Sequence, residues 1–219
     1  MSRRSVKSIR PEVDLSKVFR TYSDLPFPFD SELLFGRVAP VEFEIGSGKG
    51  LFLRRVADEF VARNFIGVEV SLKYAKFAAS RLLNRSYNNA LVICCDAAKL
   101  LAEWFPDNFL FAVHVYFPDP WWKRSHRKRR ILREEILQLI ERRLMPDSFL
   151  HFRTDVEEYF QSTLELIDKY ATKLELSNIE ISDDLPQNDN TYNTHFERRT
   201  ILQGKKVFRA KFRKKHNYS

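Results

Sequence analysis

Acidic residues and glycines occur where three predicted strands end, and they are the side chains best suited to hold a small polar ligand. Apolar runs over residues 41–45, 65–70 and 90–95 each predict a strand. The candidate ligand-binding residues are Glu44, Gly46, Gly48 and Gly50 at the first strand end, Glu69 at the second, and Asp96 after the third. Ligands of an open α/β sheet bind at the carboxyl ends of its strands, and glycines let them approach the backbone closely. The pattern therefore predicts a nucleotide-type cofactor at these strand ends.

The glycine spacing separates the classes of ligand. A phosphate-binding P-loop requires Lys followed by Ser or Thr, whereas Lys49 is followed by Gly50. The dinucleotide pattern G-x-G-x-x-G requires a glycine at position 51, which is Leu51. What remains is an acidic residue followed by G-x-G-x-G, a pattern that resembles the first motif of class I methyltransferases. A tight turn without a ligand stays open as the alternative.

Glu69 and Asp96 each have a structural alternative as well. In nucleotide-binding α/β folds, a carboxylate at the end of the second strand accepts hydrogen bonds from both ribose hydroxyls. Glu69 would equally suit the start of a helix, where the helix dipole favours negative charge. Asp96 could meet an adenine edge, but an Asp before Ala97 is also typical of a helix N-cap. Taken together, such residues at successive strand ends favour the cofactor interpretation.

The segment from Tyr116 to Arg130 combines aromatic, acidic and basic side chains after a fourth predicted strand, residues 111–117. Pro118 and Pro120 hold Asp119 in a stiff loop. Aromatic platforms next to cations are the general means of holding an extruded or single-stranded base. The segment therefore predicts contact with a nucleic-acid base and its phosphates, although the basic run alone would also suit a solvated helix start.

The same segment resembles the signature of the bacterial tRNA (guanine-N7)-methyltransferase family, a class I family that depends on S-adenosylmethionine. Residues matching the family occur in order from about residue 40 to residue 199. They are Glu44-Ile45-Gly46, Gly67-Val68-Glu69, Asp96-Ala97, Phe117-Pro118-Asp119-Pro120-Trp121, Lys123, His126, Lys128-Arg129-Arg130, Thr154-Asp155 and Thr194-His195-Phe196-Glu197-Arg198-Arg199. The chain departs from the family at Ser125, where the family commonly has Arg directly before the His, and this leaves the role of Arg124 open.

The resemblance implies transfer of a methyl group from S-adenosyl-L-methionine to N7 of guanine in tRNA, at position 46 of the variable loop, forming 7-methylguanosine. It assigns Asp119 to the active site, adjoining the cofactor. It implies cofactor binding by Glu44, Gly46, Gly48, Gly50, Glu69 and Asp96, and substrate binding by Lys123, Asp155, Thr194, His195, Phe196 and Glu197. Without the resemblance, Asp155 equally suits the first turn of a helix with a capping box opened by Thr154, and Glu197 lies in a polar loop, residues 182–200, long enough to act as a lid.

Strand and helix patterns alternate four or five times after residue 40, which is typical of a parallel sheet with right-handed crossovers. We therefore expect an α/β, Rossmann-like class I methyltransferase fold, with a mostly parallel seven-stranded sheet and helices on both faces. Two final strands, around residues 173–181 and 206–212, predict an antiparallel edge hairpin. Residues 1–39 are predicted to form a basic, partly irregular arm, and residues 40–219 the methyltransferase domain.

The net charge is +8, from 37 Lys and Arg against 29 acidic residues. This balance favours a polyanionic partner, and the resemblance makes it tRNA rather than DNA or a membrane; on charge alone, a basic soluble protein is equally compatible. Cys94 and Cys95 are adjacent and predict buried strand residues without a disulfide. The five His are scattered and predict no metal site. Without an apolar N-terminal stretch or a run of about 20 apolar residues, we expect a cytoplasmic protein, monomeric or homodimeric.

Three other functions match part of the pattern. A class I methyltransferase acting on another RNA or another acceptor would share the glycine loop and Glu69, but it would not need the aromatic and basic segment. An RNA-binding module with an unused cofactor pocket would not need four intact carboxylates. A nicotinamide-dependent dehydrogenase is disfavoured by Leu51. Cofactor binding separates these alternatives.

Overall fold

A computed structural model describes residues 13–83, 87–121, 124–182 and 195–216 of the chain. The chain divides into two compact units, Met1–Leu100 and Leu101–Ser219. Strands and helices alternate through both units.

The first unit is a parallel sheet with helical crossovers. Its elements are β1 (Phe19–Thr21), α1 (Ser31–Phe35), β2 (Val41–Ile45), α2 (Leu51–Glu59), β3 (Asn64–Val68), α3 (Leu72–Leu83) and β4 (Ala90–Cys94), with a 3-10 turn at Tyr22–Asp24. Its strands lie in the order β1-β4-β3-β2, and each pair is parallel. Every residue of β2 and β3 is buried, as expected where both faces of a parallel sheet are covered.

The second unit combines a parallel pair with an antiparallel edge. Helix α4 (Ala97–Glu103) contains the boundary between the units. The elements that follow it are β5 (Leu110–Tyr116), a 3-10 helix (Arg124–Arg129), α5 (Glu134–Arg143), β6 (Leu144–Thr154), α6 (Glu157–Tyr170), β7 (Leu174–Ser182), α7 (His195–Leu202) and β8 (Val207–Lys214). The strand order is β5-β6-β8-β7, with β5 and β6 parallel and the other pairs antiparallel. The predicted C-terminal edge hairpin is confirmed.

Part of the core of the second unit lies where α6 packs on β6. Phe152 of β6 contacts Tyr159 and Phe160 of α6, with ring centroids 5.8 and 6.0 Å apart. All three side chains are buried, and aromatic contacts of this kind contribute beyond the area they bury. Helix α6 is therefore a firm support for the loops that adjoin it.

Several predictions of local structure are wrong. The described residues contain eight strands rather than seven, because β1 lies within the arm, residues 1–39, in which no strand was predicted. The predicted polar loop to residue 200 is helical from His195 onwards. Cys94 and Cys95 are half-buried free thiols rather than fully buried ones, because β4 ends at Cys94 and the sheet no longer covers them completely. In the described parts of the chain, no helix has the length and apolarity needed to cross a membrane.

Candidate active site

The glycine loop of the first unit turns directly from β2 into α2. Gly46, Gly48 and Gly50 all have left-handed backbone, with φ of 80°, 53° and 67°, which favours glycine. The Gly46 and Ser47 N–H groups donate to the Val68 carbonyl at 2.9 and 3.0 Å. The loop is thereby fastened to the end of β3, where Glu69 follows.

Glu69 joins the glycine loop to the start of α3. The Gly48 N–H donates to Glu69 Oε2 and the Ser71 N–H to Glu69 Oε1, both at 3.0 Å. The side chain is 5% exposed. Because a carboxylate offers about four acceptor sites, Glu69 keeps capacity for the two hydroxyls of a ribose. The structure thus gives Glu69 both a local structural contact and the capacity to accept from a ligand.

Glu44 is a buried carboxylate with an unpartnered oxygen. It is 4% exposed, and its Oε2 has no hydrogen-bond partner among the described residues. Burial raises the pKa of Glu44 from 4.5 to about 8; the Ser47 hydroxyl opposes this shift, and the nearby charge of Glu69 adds to it. An unsatisfied buried carboxylate is costly unless a donor or a cation pairs with it. The site therefore suits a cationic ligand group.

Gly67 explains how the glycine loop can lie so close to β3. A Cβ at this position would clash with the Ser47 hydroxyl and with Leu53. The bare backbone of Gly67 therefore allows the loop and the first turn of α2 to pack on the strand.

Asp96 caps the helix that follows β4. Its Oδ1 accepts the Ala98 N–H at 2.8 Å, so the N-cap interpretation of the sequence is confirmed. The side chain is exposed, and its second carboxylate oxygen remains available for a ligand. Since β2, β3 and β4 are parallel, Glu44, Glu69 and Asp96 all lie toward the same edge of the sheet in the first unit.

Asp119 of the second unit lies on an exposed loop after β5. Phe117, two residues before it, has left-handed backbone with φ of 49°, and its N–H donates to the Arg153 carbonyl at 2.8 Å. The Phe117 ring contacts that of Phe196, with centroids 4.7 Å apart. The loop is therefore attached to β6 through its backbone and to α7 through an aromatic pair.

Trp121 lies at the end of this loop and contacts basic side chains. Its ring meets His126 edge-on at 5.8 Å between centroids, and the Arg129 guanidinium lies 5.1 Å from the Trp121 ring. Both Lys128 and Arg129 are exposed. An aromatic surface flanked by cations is suited to nucleic acid. Lys123 and Thr194 lie outside the described residues.

Asp155 is not part of a capping box. Helix α6 begins at Glu157, its N-cap is Val156, and no side chain caps it. The Thr154 hydroxyl instead accepts the Val156 N–H at 3.2 Å, a local turn that competes with the box. Asp155 is therefore a half-buried residue between β6 and α6, and the structure removes its role in the first turn of the helix.

Glu197 lies in helix α7 and not in the predicted loop. It is fully buried between two arginines. Its Oε2 accepts from Arg153 Nη1 and its Oε1 from Arg209 Nε, both at 2.7 Å. Arg209 also reaches Glu180 at 3.1 Å and Ser182 at 3.2 Å. This cluster ties α7 to β6, β8 and β7. The sequence did not identify Arg153 or Arg209. The available signal was an arginine directly after a Phe in each of these two strands.

A row of polar aromatic residues adjoins this cluster. The buried His114 Nδ1 is 2.9 Å from the Tyr116 hydroxyl, and the His114 and His151 rings stack at 4.9 Å between centroids. Burial holds the pKa of His151 well below its usual range, and the charges of His114, Lys211 and Arg153 act in the same direction. His151 is therefore neutral at physiological pH.

Comparison with known proteins defines the class of this chain. A family model described as "Putative methyltransferase" matches residues 38–210. Among solved structures, an antibiotic-related methyltransferase aligns over 82% of this chain and 90% of its own with a TM-score of 0.60 at 14% identity. A 16S rRNA (adenine(1408)-N(1))-methyltransferase solved with S-adenosylmethionine aligns over 82% and 88% with a TM-score of 0.59 at 14% identity. The fold is that of a class I methyltransferase, as the sequence predicted.

Curated relatives narrow this class. The tRNA (guanine-N(7)-)-methyltransferase of Rhodopirellula baltica is 40% identical over 98% of this chain and 81% of its own length. That of Yersinia enterocolitica is 35% identical over 87% of this chain and 79% of its own. The chain belongs to the family of tRNA (guanine-N(7)-)-methyltransferases.

Proposed function

We propose that this chain transfers a methyl group from S-adenosyl-L-methionine to N7 of a guanine in tRNA, at position 46 of the variable loop. The proposal is carried by its family, together with an exposed Asp119 on a loop flanked by aromatic and cationic side chains. We propose that it acts in the cytoplasm, on tRNA rather than DNA, as a monomer or homodimer.

Residues of the first unit fit this cofactor. The unpartnered Oε2 of Glu44 suits the ammonium of the methionine portion, and Gly46, Gly48 and Gly50 leave room for that portion beside the backbone. Glu69 would accept from both ribose hydroxyls. Asp96 would meet the adenine edge with the oxygen that does not cap α4. When bound, the cofactor supplies an electrophilic methyl group on a sulfonium.

Asp119 is the proposed catalytic residue, and the family resemblance implies that it also adjoins the cofactor. N7 of guanine carries a free lone pair, so its methylation needs no prior deprotonation. The base gains positive charge as the new bond forms, and a carboxylate beside it stabilises that charge. The same carboxylate can accept from the N1–H and N2–H edge of guanine and orient the base. Substrate alignment and charge stabilisation are thus the two tasks of Asp119.

The remaining residues proposed for substrate binding follow Asp119 in the chain, and they act by direct contact or, for Glu197, through the helix that it anchors. They are Lys123, Asp155, Thr194, His195, Phe196 and Glu197. Lys123 suits a phosphate, and Phe196, which is 37% exposed, offers a ring surface beside Phe117. Glu197 contributes by anchoring the helix that carries Phe196, because both of its oxygens bind arginines.

The test of the function is transfer of a labelled methyl group from S-adenosylmethionine to unmodified tRNA, followed by nucleoside analysis. We expect 7-methylguanosine as the labelled product, and no label in a transcript whose guanine 46 is replaced by adenine. Cofactor binding without labelled tRNA would overturn the substrate while leaving the cofactor proposal intact. Label in another nucleoside would show that the chain methylates a different base or a different atom of guanine.

Cofactor affinity is expected to increase as pH rises from 6 to 8. The folded chain holds Glu44 protonated up to a pKa of about 8, whereas the ammonium of the cofactor requires it ionised, so that binding releases a proton. The association constant then rises at most about tenfold per pH unit below pH 8. By the same linkage, the raised pKa stabilises the free protein below pH 4.5, and this contribution is lost as pH rises to about 8.

Titration calorimetry with S-adenosylhomocysteine, which carries the same amino acid portion, measures this dependence. Glu44→Gln should bind more weakly and with little change over this pH range. Asp96→Asn is the matched control, because it should weaken binding and keep the pH dependence. A wild-type affinity that is constant between pH 6 and 8 would contradict the pairing of Glu44 with the ammonium.

A further inference from the structure

The loop that presents Asp119 has two residues in left-handed backbone. They are Phe117 and Trp121, with φ of 49° and 45°. Bulky residues rarely adopt this conformation, and it persists only where surrounding contacts impose it. The hydrogen bond from the Phe117 N–H to the Arg153 carbonyl fixes the start of the loop. Its other end needs a separate anchor.

Arg130 provides that anchor. Its Nε–H donates at 2.8 Å to the Pro120 carbonyl, which belongs to the peptide bond between Pro120, the residue after Asp119, and Trp121. Arg130 is only 6% exposed, so it differs from Lys128 and Arg129 of the same basic run, which are exposed. The sequence predicts phosphate contacts for the basic segment, with a solvated helix start as the alternative, and the burial of Arg130 fits neither.

The guanidinium of Arg130 is itself held by α6. It lies 4.6 Å from the ring centroid of Tyr159, and its Nη1 donates to the Ser162 hydroxyl at 3.2 Å. Its Nη2 is 3.5 Å from the Glu158 carboxylate, an ion-pair distance. Tyr159 is fully buried. A planar guanidinium can stack on a ring and donate in two in-plane directions at once, which a lysine ammonium cannot do.

We propose that Arg130 is a positioning residue for Asp119. Its planar guanidinium is held by α6 and binds the Pro120 carbonyl. It thereby fixes the position of the Asp119 carboxylate, one residue earlier in the chain. Arg130 acts through the loop and makes no contact with RNA phosphate. The inference rests on the proposed function, because Asp119 is the residue whose position matters for methyl transfer.

Arg130→Lys is the variant that tests this role, because it keeps the charge and removes the planar fork. We expect the single-turnover rate at saturating tRNA and cofactor to fall roughly tenfold to 100-fold, the loss typical of a misplaced reacting group. The affinity for tRNA and its salt dependence should stay unchanged, since no phosphate contact is lost. Arg133→Lys is the matched control, because Arg133 is partly exposed and pairs with its near neighbour Glu135 at 3.2 Å.

Two further variants keep the test independent of folding. Ser162→Ala removes one support of the guanidinium and should give a smaller loss of rate in the same direction. In an Asp119→Asn background, Arg130→Lys should cause no additional loss, because residues that act as a unit are not additive. An equal additional loss in that background, or weakened tRNA binding with an unchanged saturated rate, would overturn the proposal.

A readout other than activity separates this inference from the proposed function. Fluorine-labelled Trp121, assigned with a Trp121→Phe variant, should show a shifted or broadened resonance in Arg130→Lys and an unchanged one in Arg133→Lys. An unchanged Trp121 resonance in both would show that Arg130 does not hold the loop. If the wild-type chain formed no 7-methylguanosine, the proposed function would fail, and the Trp121 resonance would still decide the role of Arg130.

Discussion

Asp119→Asn is expected to lower the single-turnover rate of methyl transfer roughly 10²- to 10³-fold, the loss typical of removing one preorganised electrostatic contact to a transition state. Asparagine keeps the shape of the side chain and removes its charge, so the positive charge that develops on the base is no longer balanced. Asp119→Ala should lower the rate to background, because it also removes the hydrogen-bond acceptor. The measurement is quenched-flow or manual single-turnover transfer of labelled methyl to tRNA.

The exposure of Asp119 predicts that neither variant unfolds the chain. Circular dichroism and the midpoint of urea unfolding should confirm an intact fold. Asp168→Asn is the control, because Asp168 is exposed on α6 and its loss should leave the rate unchanged. Near-normal turnover by Asp119→Ala would reject the catalytic role.

Glu197→Gln is expected to cause the largest loss of stability, about 3–5 kcal/mol in the free energy of unfolding. The substitution leaves Arg153 and Arg209 buried with no carboxylate between them, at 4% and 7% side-chain exposure. Arg209 keeps its ion pair with the partly exposed Glu180, so the magnitude comes from two buried guanidiniums that lose the buried carboxylate they share. Urea unfolding followed by circular dichroism measures it.

Glu175→Gln is the matched control for this prediction. Glu175 pairs with Arg213 at 2.5 Å, but both side chains are more than a third exposed. Solvent screening limits its contribution to at most about 1 kcal/mol. If Glu197→Gln cost no more than Glu175→Gln, the buried cluster would not be what holds α7 in place.

The parallel core could be predicted because its strands are short apolar runs bounded by turns. Val41–Ile45 was predicted at its observed limits, and the carboxylates after β3 and β4 were placed correctly at strand ends. Strand β1 was missed for a physical reason. Its three residues are half-buried and pair with Val92, Ile93 and Cys94 of β4 through the backbone. Backbone pairing of so short a strand leaves no periodic pattern in the sequence.

The buried charged residues of the second unit could not be predicted from local sequence. Glu197 is buried by Arg153, 44 residues before it, and by Arg209, 12 residues after it. A charged residue is normally exposed unless such partners neutralise it, and the partners are not visible before the strands are paired. Arg130 was misinterpreted for the same reason, since its supports lie on α6, about 30 residues further along the chain.

Strand order in the second unit also has a consequence for protein synthesis. Strand β8 lies between β6 and β7, although the ribosome makes it after both. Among the described strands, β7 pairs only with β8, so it has no neighbour in the nascent chain until residues 207–214 emerge. Until then, one side of β6 is an open edge that can attract strands of other chains. The sheet of this unit can therefore be completed only late in synthesis. We expect that it forms when β8 leaves the ribosome.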